Sequence, residues 1–184
     1  MNYKNIKYFQ SDLFKKYNFI HAFFTKNNNN DPKELQSQLN LKSNIHFLKQ
    51  VNSNKVISIN DTLDLEIKTG DCLISKERWT SLWIYTADCI PILIADIKTR
   101  NIAACHCGLK GLKKNIILKT LNKFAEAGSD KKNLIIAIGP SIIGDNYQVK
   151  IKDVNDLIIE ILGNNHSGKS LLVELNTQEK IQLY

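Results

Sequence analysis

IPILIADIKTRNIAACHC, residues 90–107, is the stretch whose reading decides the fold. Residues 90–97 and 102–107 are two short apolar runs, and KTRN, residues 98–101, lies between them. Apolar runs of this length around a short polar turn predict an antiparallel hairpin. With Ile97 set opposite Ile102, His106 faces Leu93. Cys89, Pro91 and Leu93 then share its side, while Cys105 and Cys107 point to the other. In this register Cys89 stands four residues from the partner of His106, roughly 13 Å along a straight strand. Joint action of the two therefore needs a bend, for which Pro91 and Gly108 are the places.

Downstream, residues 108–111 end the second strand. Residues 112–127 then carry Leu112, Ile116, Leu121 and Phe124 near helical spacing, with Gly128 as a stop. Residues 134–138 predict a strand running into Gly139 and Pro140. A helix is expected over 154–162, a strand over 171–175 and the start of a helix over 177–183. Upstream, residues 19–25 (FIHAFFT) predict a strand, 27–32 a turn and 32–41 a helix. Residues 47–51 and 55–59 bracket a polar segment, and 70–75 and 81–86 are short strand candidates. Short strands mixed with separate helices indicate α+β or α/β. No linker-like break interrupts residues 1–184, so a single domain is expected.

Composition narrows the function classes. Hydrophobic residues make up 43%, enough for a packed core. No apolar run approaches the ~18 residues that span a membrane, and residues 1–9 are no apolar leader, so a cytoplasmic protein is expected. Four cysteines, Cys72, Cys89, Cys105 and Cys107, suit that compartment as free thiols or ligands. A disulfide between Cys105 and Cys107 is geometrically poor. The net charge of +7 comes from lysines scattered along the chain, with arginine only at Arg78 and Arg100. That pattern reads as a solvated basic surface. No nucleic-acid signature accompanies it, and an anionic small-molecule ligand stays open.

Two positions stand out for chemistry. His106 ends an apolar strand before a glycine turn, where functional side chains gather. Cys89 shares its side of the hairpin and reads as a buried apolar residue, a ligand or a nucleophile. Gly108-Leu109-Lys110-Gly111 joins strand to helix, where backbone amides and Lys110 suit an anion. Gly139-Pro140-Ser141 is a second strand-end turn. His21 reads as structural, His166 as a loop residue and His46 as a remote metal candidate.

Several segments, taken in order, resemble one family. Gln50-Val51-Asn52-Ser53 is similar to its Gln-Val-His-Gly, and Asp71-Cys72-Leu73-Ile74-Ser75 to its Asp-Ala-Leu-Val-Thr. Thr86-Ala87-Asp88-Cys89-Ile90-Pro91 matches Thr-Ala-Asp-Cys-x-Pro. His106-Cys107-Gly108-Leu109-Lys110-Gly111 resembles His-Ala-Gly-Trp-Arg-Gly. Gly139-Pro140-Ser141-Ile142 matches Gly-Pro-x-Ile, and Tyr147-Gln148-Val149 resembles Tyr-Glu-Val. Phe24-Thr25-Lys26 looks like the remnant of an early Thr-Thr-Arg motif, and residues 175–183 resemble a late segment. This ordered set resembles the laccase-domain (YfiH-like) family, whose members act on purine nucleosides.

The resemblance implies an α+β fold of layered mixed sheets with flanking helices. It implies zinc held at the positions of Asn52, Cys89 and His106, and purine nucleoside and phosphate as small-molecule partners. Phosphate is placed near Lys110, Lys26 and Gly139, and proton transfer falls to Asp71 or Asp88. The implied activities are phosphorolysis of adenosine, inosine and methylthioadenosine, and deamination of adenosine. The departures point to weakened activity. Asn52 offers a neutral amide where the family has an imidazole, so zinc is expected to bind weakly or not at all. Lys110 lacks the bidentate fork of arginine, and Gln148 lacks the acid of Glu. The chain also reads as shortened at its C-terminal end. A vestigial binding protein and a metal-free Cys89/His106 hydrolase of peptidoglycan-editing type remain as alternatives. A multicopper oxidase is disfavoured by too few histidines.

Overall fold

The computed structural model describes residues 7–25, 31–59 and 67–142. The expected elements at 154–162, 171–175 and 177–183 lie outside these residues. So do Lys26, Gln148 and His166.

The N-terminal elements are β1 (Tyr8–Phe9), α1 (Asp12–Lys16), β2 (Phe23–Phe24), α2 (Pro32–Gln38), β3 (Asn44–His46) and β4 (Val56–Ile59). Then follow β5 (Cys72–Ser75), β6 (Thr80–Leu82), β7 (Ile90–Asp96), β8 (Ile102–Cys107), α3 (Leu109–Lys113), α4 (Ile116–Glu126) and β9 (Leu134–Ile138). Five strands form the main sheet in the order β4-β5-β8-β7-β9. Within this sheet the β4/β5 pair is parallel and the others are antiparallel. Two small two-stranded sheets, β1-β2 and β3-β6, complete the α+β arrangement.

Alternation along the strands gives the main sheet two apolar faces. Cys72, Ile74, Ile92, Ile94, Ala103, Cys105 and Cys107 pack on one side against Ile116 and Phe124 of α4. Ala95, Ile135 and Ala137 pack on the other against Phe14 and Phe19. Leu73, also on that side, joins Leu48 and Ile59. A stripe of Ile116, Thr120 and Phe124, spaced by four residues, is the buried line of α4.

The hairpin forms with a register two residues from the expected one. Pro91, not Leu93, faces His106, and Ala95, not Ile97, faces Ile102. The cause is Asp96. Its N–H donates to Asn101 O at 2.9 Å, and Arg100 N–H donates to Asp96 O at 3.0 Å. Its buried carboxylate accepts from Lys98 N at 2.8 Å and Thr99 N at 3.1 Å. This Asx turn closes the loop at residues 97–100, with Arg100 left-handed at φ 66°. A slip of two preserves every side-chain direction. It also shortens the reach from Cys89 to His106. The last pair is Ile90 with Cys107, so the next residues, Cys89 and Gly108, come level.

Two other expectations change. The helix expected over 112–127 is two helices, divided at Asn115, whose φ of 60° breaks the right-handed run. The first begins directly at Gly108, with Leu112 N–H donating to Gly108 O. Gly128 stops the second as expected, at φ 83°. The strand expected over 19–25 shrinks to Phe23–Phe24. Asn18 turns there at φ 57°. His21 spends both ring nitrogens on the backbone, Nε2 accepting from Ser11 N–H at 2.7 Å and Nδ1 donating to Phe19 O at 2.8 Å. His21 is therefore structural.

Candidate active site

Gly108 marks the centre of the site. A Cβ placed on it would lie 2.7 Å from Asn52 Oδ1, 3.2 Å from Cys89 Sγ and 3.6 Å from His106 Cε1. Three side chains from three segments thus surround one point within 4 Å. Glycine is required because any side chain would enter that space. The separation of Cys89 and His106 inferred from the expected register disappears with the observed one.

Asp71 builds two of the three walls. It is fully buried, 0% exposed, immediately before β5. Its carboxylate accepts from the successive N–H groups of Val51 (3.3 Å), Asn52 (2.9 Å) and Ser53 (2.6 Å), and from Ser53 Oγ (2.6 Å). Three consecutive amides aimed at one anion form a nest. Asn52 takes the left-handed conformation, φ 56°, that this geometry needs, and asparagine tolerates it. The same carboxylate bonds His106 Nδ1 at 2.9 Å. Burial by itself would raise the Asp71 carboxyl. Hydrogen bonds from Ser53, His106 and Val51 outweigh it and hold the group below its ordinary value. An ionised Asp71 can only accept, so His106 Nδ1 is the donor in this bond and Nε2 is turned away from it.

Asp71, expected to move a proton, has no exposed surface and is engaged by the Val51, Asn52, Ser53 and His106 donors. Asp88 is exposed, adjacent to Cys89, and its carbonyl accepts from Ile142 N–H at 3.1 Å. Lys110 is exposed on α3, two residues after Gly108. Gly139 donates its N–H to Pro91 O at 2.9 Å, and the Phe23 ring occupies the space where its Cβ would stand. Gly139, expected near phosphate, is held in this packed turn. His46 belongs to β3, level with Leu82 of β6.

Two supports escaped the sequence reading. Gln50 Nε2 donates to Tyr85 O at 2.8 Å, and Tyr85 N–H donates to Gln50 Oε1 at 2.7 Å. This reciprocal pair ties the Asn52 loop to the segment that leads to Cys89. Gly111 lets α3 approach, because a Cβ there would stand 2.8 Å from Ser53 O. The glutamine of the first motif was a visible signal for the clamp, but its partner Tyr85 lies 35 residues away and carries no motif.

The donor set can be tested against a metal. His106 Nε2 is free of the Asp71 bond, and a carboxylate behind a ligand histidine is the usual arrangement for zinc. Cys89 supplies sulfur. Its thiol is pushed above the ordinary value by burial and by the charges of Asp88 and Asp71, so without a metal it stays protonated at neutral pH. The third donor is the Asn52 amide oxygen. Among the described residues, no group of three His, Cys, Asp and Glu side chains forms a metal-holding set. The donors that meet at this point are thus two of the kinds zinc favours, a thiol and an imidazole, and one weak amide oxygen. No helix among the described residues is long and apolar enough to cross a membrane.

The chain is similar to several known proteins. A Synechocystis protein named purine nucleoside phosphorylase is 34% identical over 136 residues, covering 70% of this chain and 52% of that protein. A Rickettsia conorii protein of the same name is 29% identical over 180 residues, covering 88% of this chain and 74% of that one. The crystal structure of the Bacillus licheniformis hypothetical protein YfiH superposes with a TM-score of 0.61 at 21% identity. The match covers 73% of this chain and 53% of that chain, and shows the same fold. The chain thus spans about half the length of the Synechocystis protein and of the solved YfiH chain. Residues 25–183 match the family described as multi-copper polyphenol oxidoreductase laccase, and the chain belongs to that laccase-domain family.

Proposed function

We propose that the chain binds purine nucleosides at the Asn52–Cys89–His106 site and turns them over slowly with the help of zinc. The observation that carries this reading is the convergence of those three side chains around Gly108. The names of the relatives supply the substrate class.

Asn52 Oδ1, Cys89 Sγ and His106 Nε2 would hold the ion. Bound zinc supplies a Lewis acid that makes water a nucleophile at neutral pH. The rest falls to the chain. Asp71 fixes the His106 tautomer and keeps Nε2 turned out as a donor. Asp88, exposed beside Cys89, is the carboxylate left to take and return a proton. Lys110 attracts phosphate as a point charge at the start of α3. Adenosine, inosine and methylthioadenosine are the substrates proposed for phosphorolysis, with adenosine deamination as a side activity.

The metal-free hydrolase gains less support. A thiol raised by burial and by two neighbouring carboxylates is a poor nucleophile until a base removes its proton. The test measures adenine, inosine and hypoxanthine release from adenosine and inosine, with and without phosphate. The native chain and Asn52→His are run beside a complete family member. The expected result is phosphate-dependent turnover well below that reference. Turnover equal to the reference would show that the departures cost nothing. No turnover by either chain would leave a binding protein.

A further inference from the structure

Behind His106 the sheet carries a wall of sulfur that the proposed chemistry does not use. Cys72, Cys105 and Cys107 share the face under α4, and each is at most 1% exposed. The sulfurs of Cys105 and Cys107 are 3.5 Å apart. Thr120 Oγ1 sits 3.3 Å from Cys72 Sγ and 3.9 Å from Cys105 Sγ. The same hydroxyl lies 2.8 Å from Ile116 O, which accepts from it.

The strand register singles out one pair. Cys72 and Cys105 are direct partners across β5 and β8. One step along, His106 N–H donates to Asp71 O at 2.8 Å. Hydrogen-bonded and non-hydrogen-bonded pairs alternate, so Cys72 and Cys105 are a non-hydrogen-bonded pair. Such pairs bring Cα atoms to about 4.5 Å and side chains closest together. A disulfide accepts Cα separations of about 4.4–6.8 Å. Cys105 and Cys107, two residues apart on one strand, stand at roughly 6.6 Å, the far end of that range.

We propose that Cys72 and Cys105 are a redox pair that a peroxide converts reversibly into a cross-strand disulfide. In the first step the O–O bond of hydrogen peroxide breaks. One sulfur takes one oxygen as a sulfenic acid, and water leaves. In the second step the other sulfur attacks the first, the S–O bond breaks, the S–S bond forms and a second water leaves. Both thiol hydrogens end in water, the two sulfurs lose two electrons and the peroxide gains them. Access depends on local opening of α4, so oxidation is slow and follows that opening. Cys72 follows Asp71 in the chain and Cys105 precedes His106. The cross-link therefore forms one residue from the pair that orients the site, and it stands independently of the nucleoside reading.

The test treats the native full chain with hydrogen peroxide, alkylates the remaining thiols and digests with trypsin without reduction. Cleavage after lysine and arginine releases Cys72 within residues 69–76, and Cys105 with Cys107 within residues 101–110. The expected product joins these two peptides, with fragment ions locating the bond at Cys105. It disappears on treatment with dithiothreitol and persists in Cys107→Ser. The proposal is overturned if both peptides are recovered alkylated at all three cysteines while Cys89 alone is oxidised. A bond at Cys107 overturns it equally. Both outcomes are read on the native chain, so a variant that fails to fold does not obscure the answer.

Discussion

Asp71 couples the Asn52 nest to the His106 ring through one carboxylate. Asp71→Asn removes the charge and one acceptor. Loss of a carboxylate behind a ligand histidine typically lowers metal affinity about 10–100-fold. Zinc titrations of Asn52→His with and without Asp71→Asn should show that drop. Stability should follow acid in a matching way. The folded Asp71 lies below its ordinary value of 3.8, so its contribution is present above that pH. It is lost as pH falls through 3.8 towards the folded value. Acid unfolding of the native chain should therefore be steeper below that pH than that of Asp71→Asn. Cys89, His106 and Asn52 were legible because their motifs survive in order. The role of Asp71 was not, because it depends on a pairing between residues 35 apart.

Within the elements, helix ends and one turn set the geometry. Gly128 adopts φ 83° after α4. Gly128 N–H donates to Ala125 O, and Ser129 N–H donates to Phe124 O, which closes the helix as a Schellman motif. Nothing stands within 4 Å of a Cβ there, so Gly128→Ala carries only the left-handed penalty, about 1–2 kcal/mol. Phe124, 0% exposed under the sheet, should cost about 3–5 kcal/mol as Phe124→Ala. Denaturant unfolding separates the two values. The sequence reading located β7 and β8 but not their register, since a slip of two keeps each side chain on its own face. Asp96 made the difference by capping two amides. The break at Asn115 was equally hidden, because the apolar spacing of 112–124 runs through it.

Across the whole molecule, the layering of α4, the main sheet and the N-terminal segment followed from apolar alternation. Of the small β1-β2 and β3-β6 sheets, β2 and β6 overlap strands expected at 19–25 and 81–86, while β1 and β3 did not show, because two- and three-residue strands carry almost no periodic signal. Layering and register together bring three sequence-distant segments to Gly108, and the central claim concerns what they hold there. The direct measurement is zinc content per chain after loading and dialysis, for the native chain, Asn52→His and Asn52→His/Cys89→Ser. Position 52 is left-handed, which histidine tolerates, so an imidazole can replace the amide without moving the loop. The account predicts little zinc in the native chain, clear retention in Asn52→His, and loss again when Cys89 is replaced. Equal retention by the native chain and Asn52→His, or retention indifferent to Cys89, would contradict it.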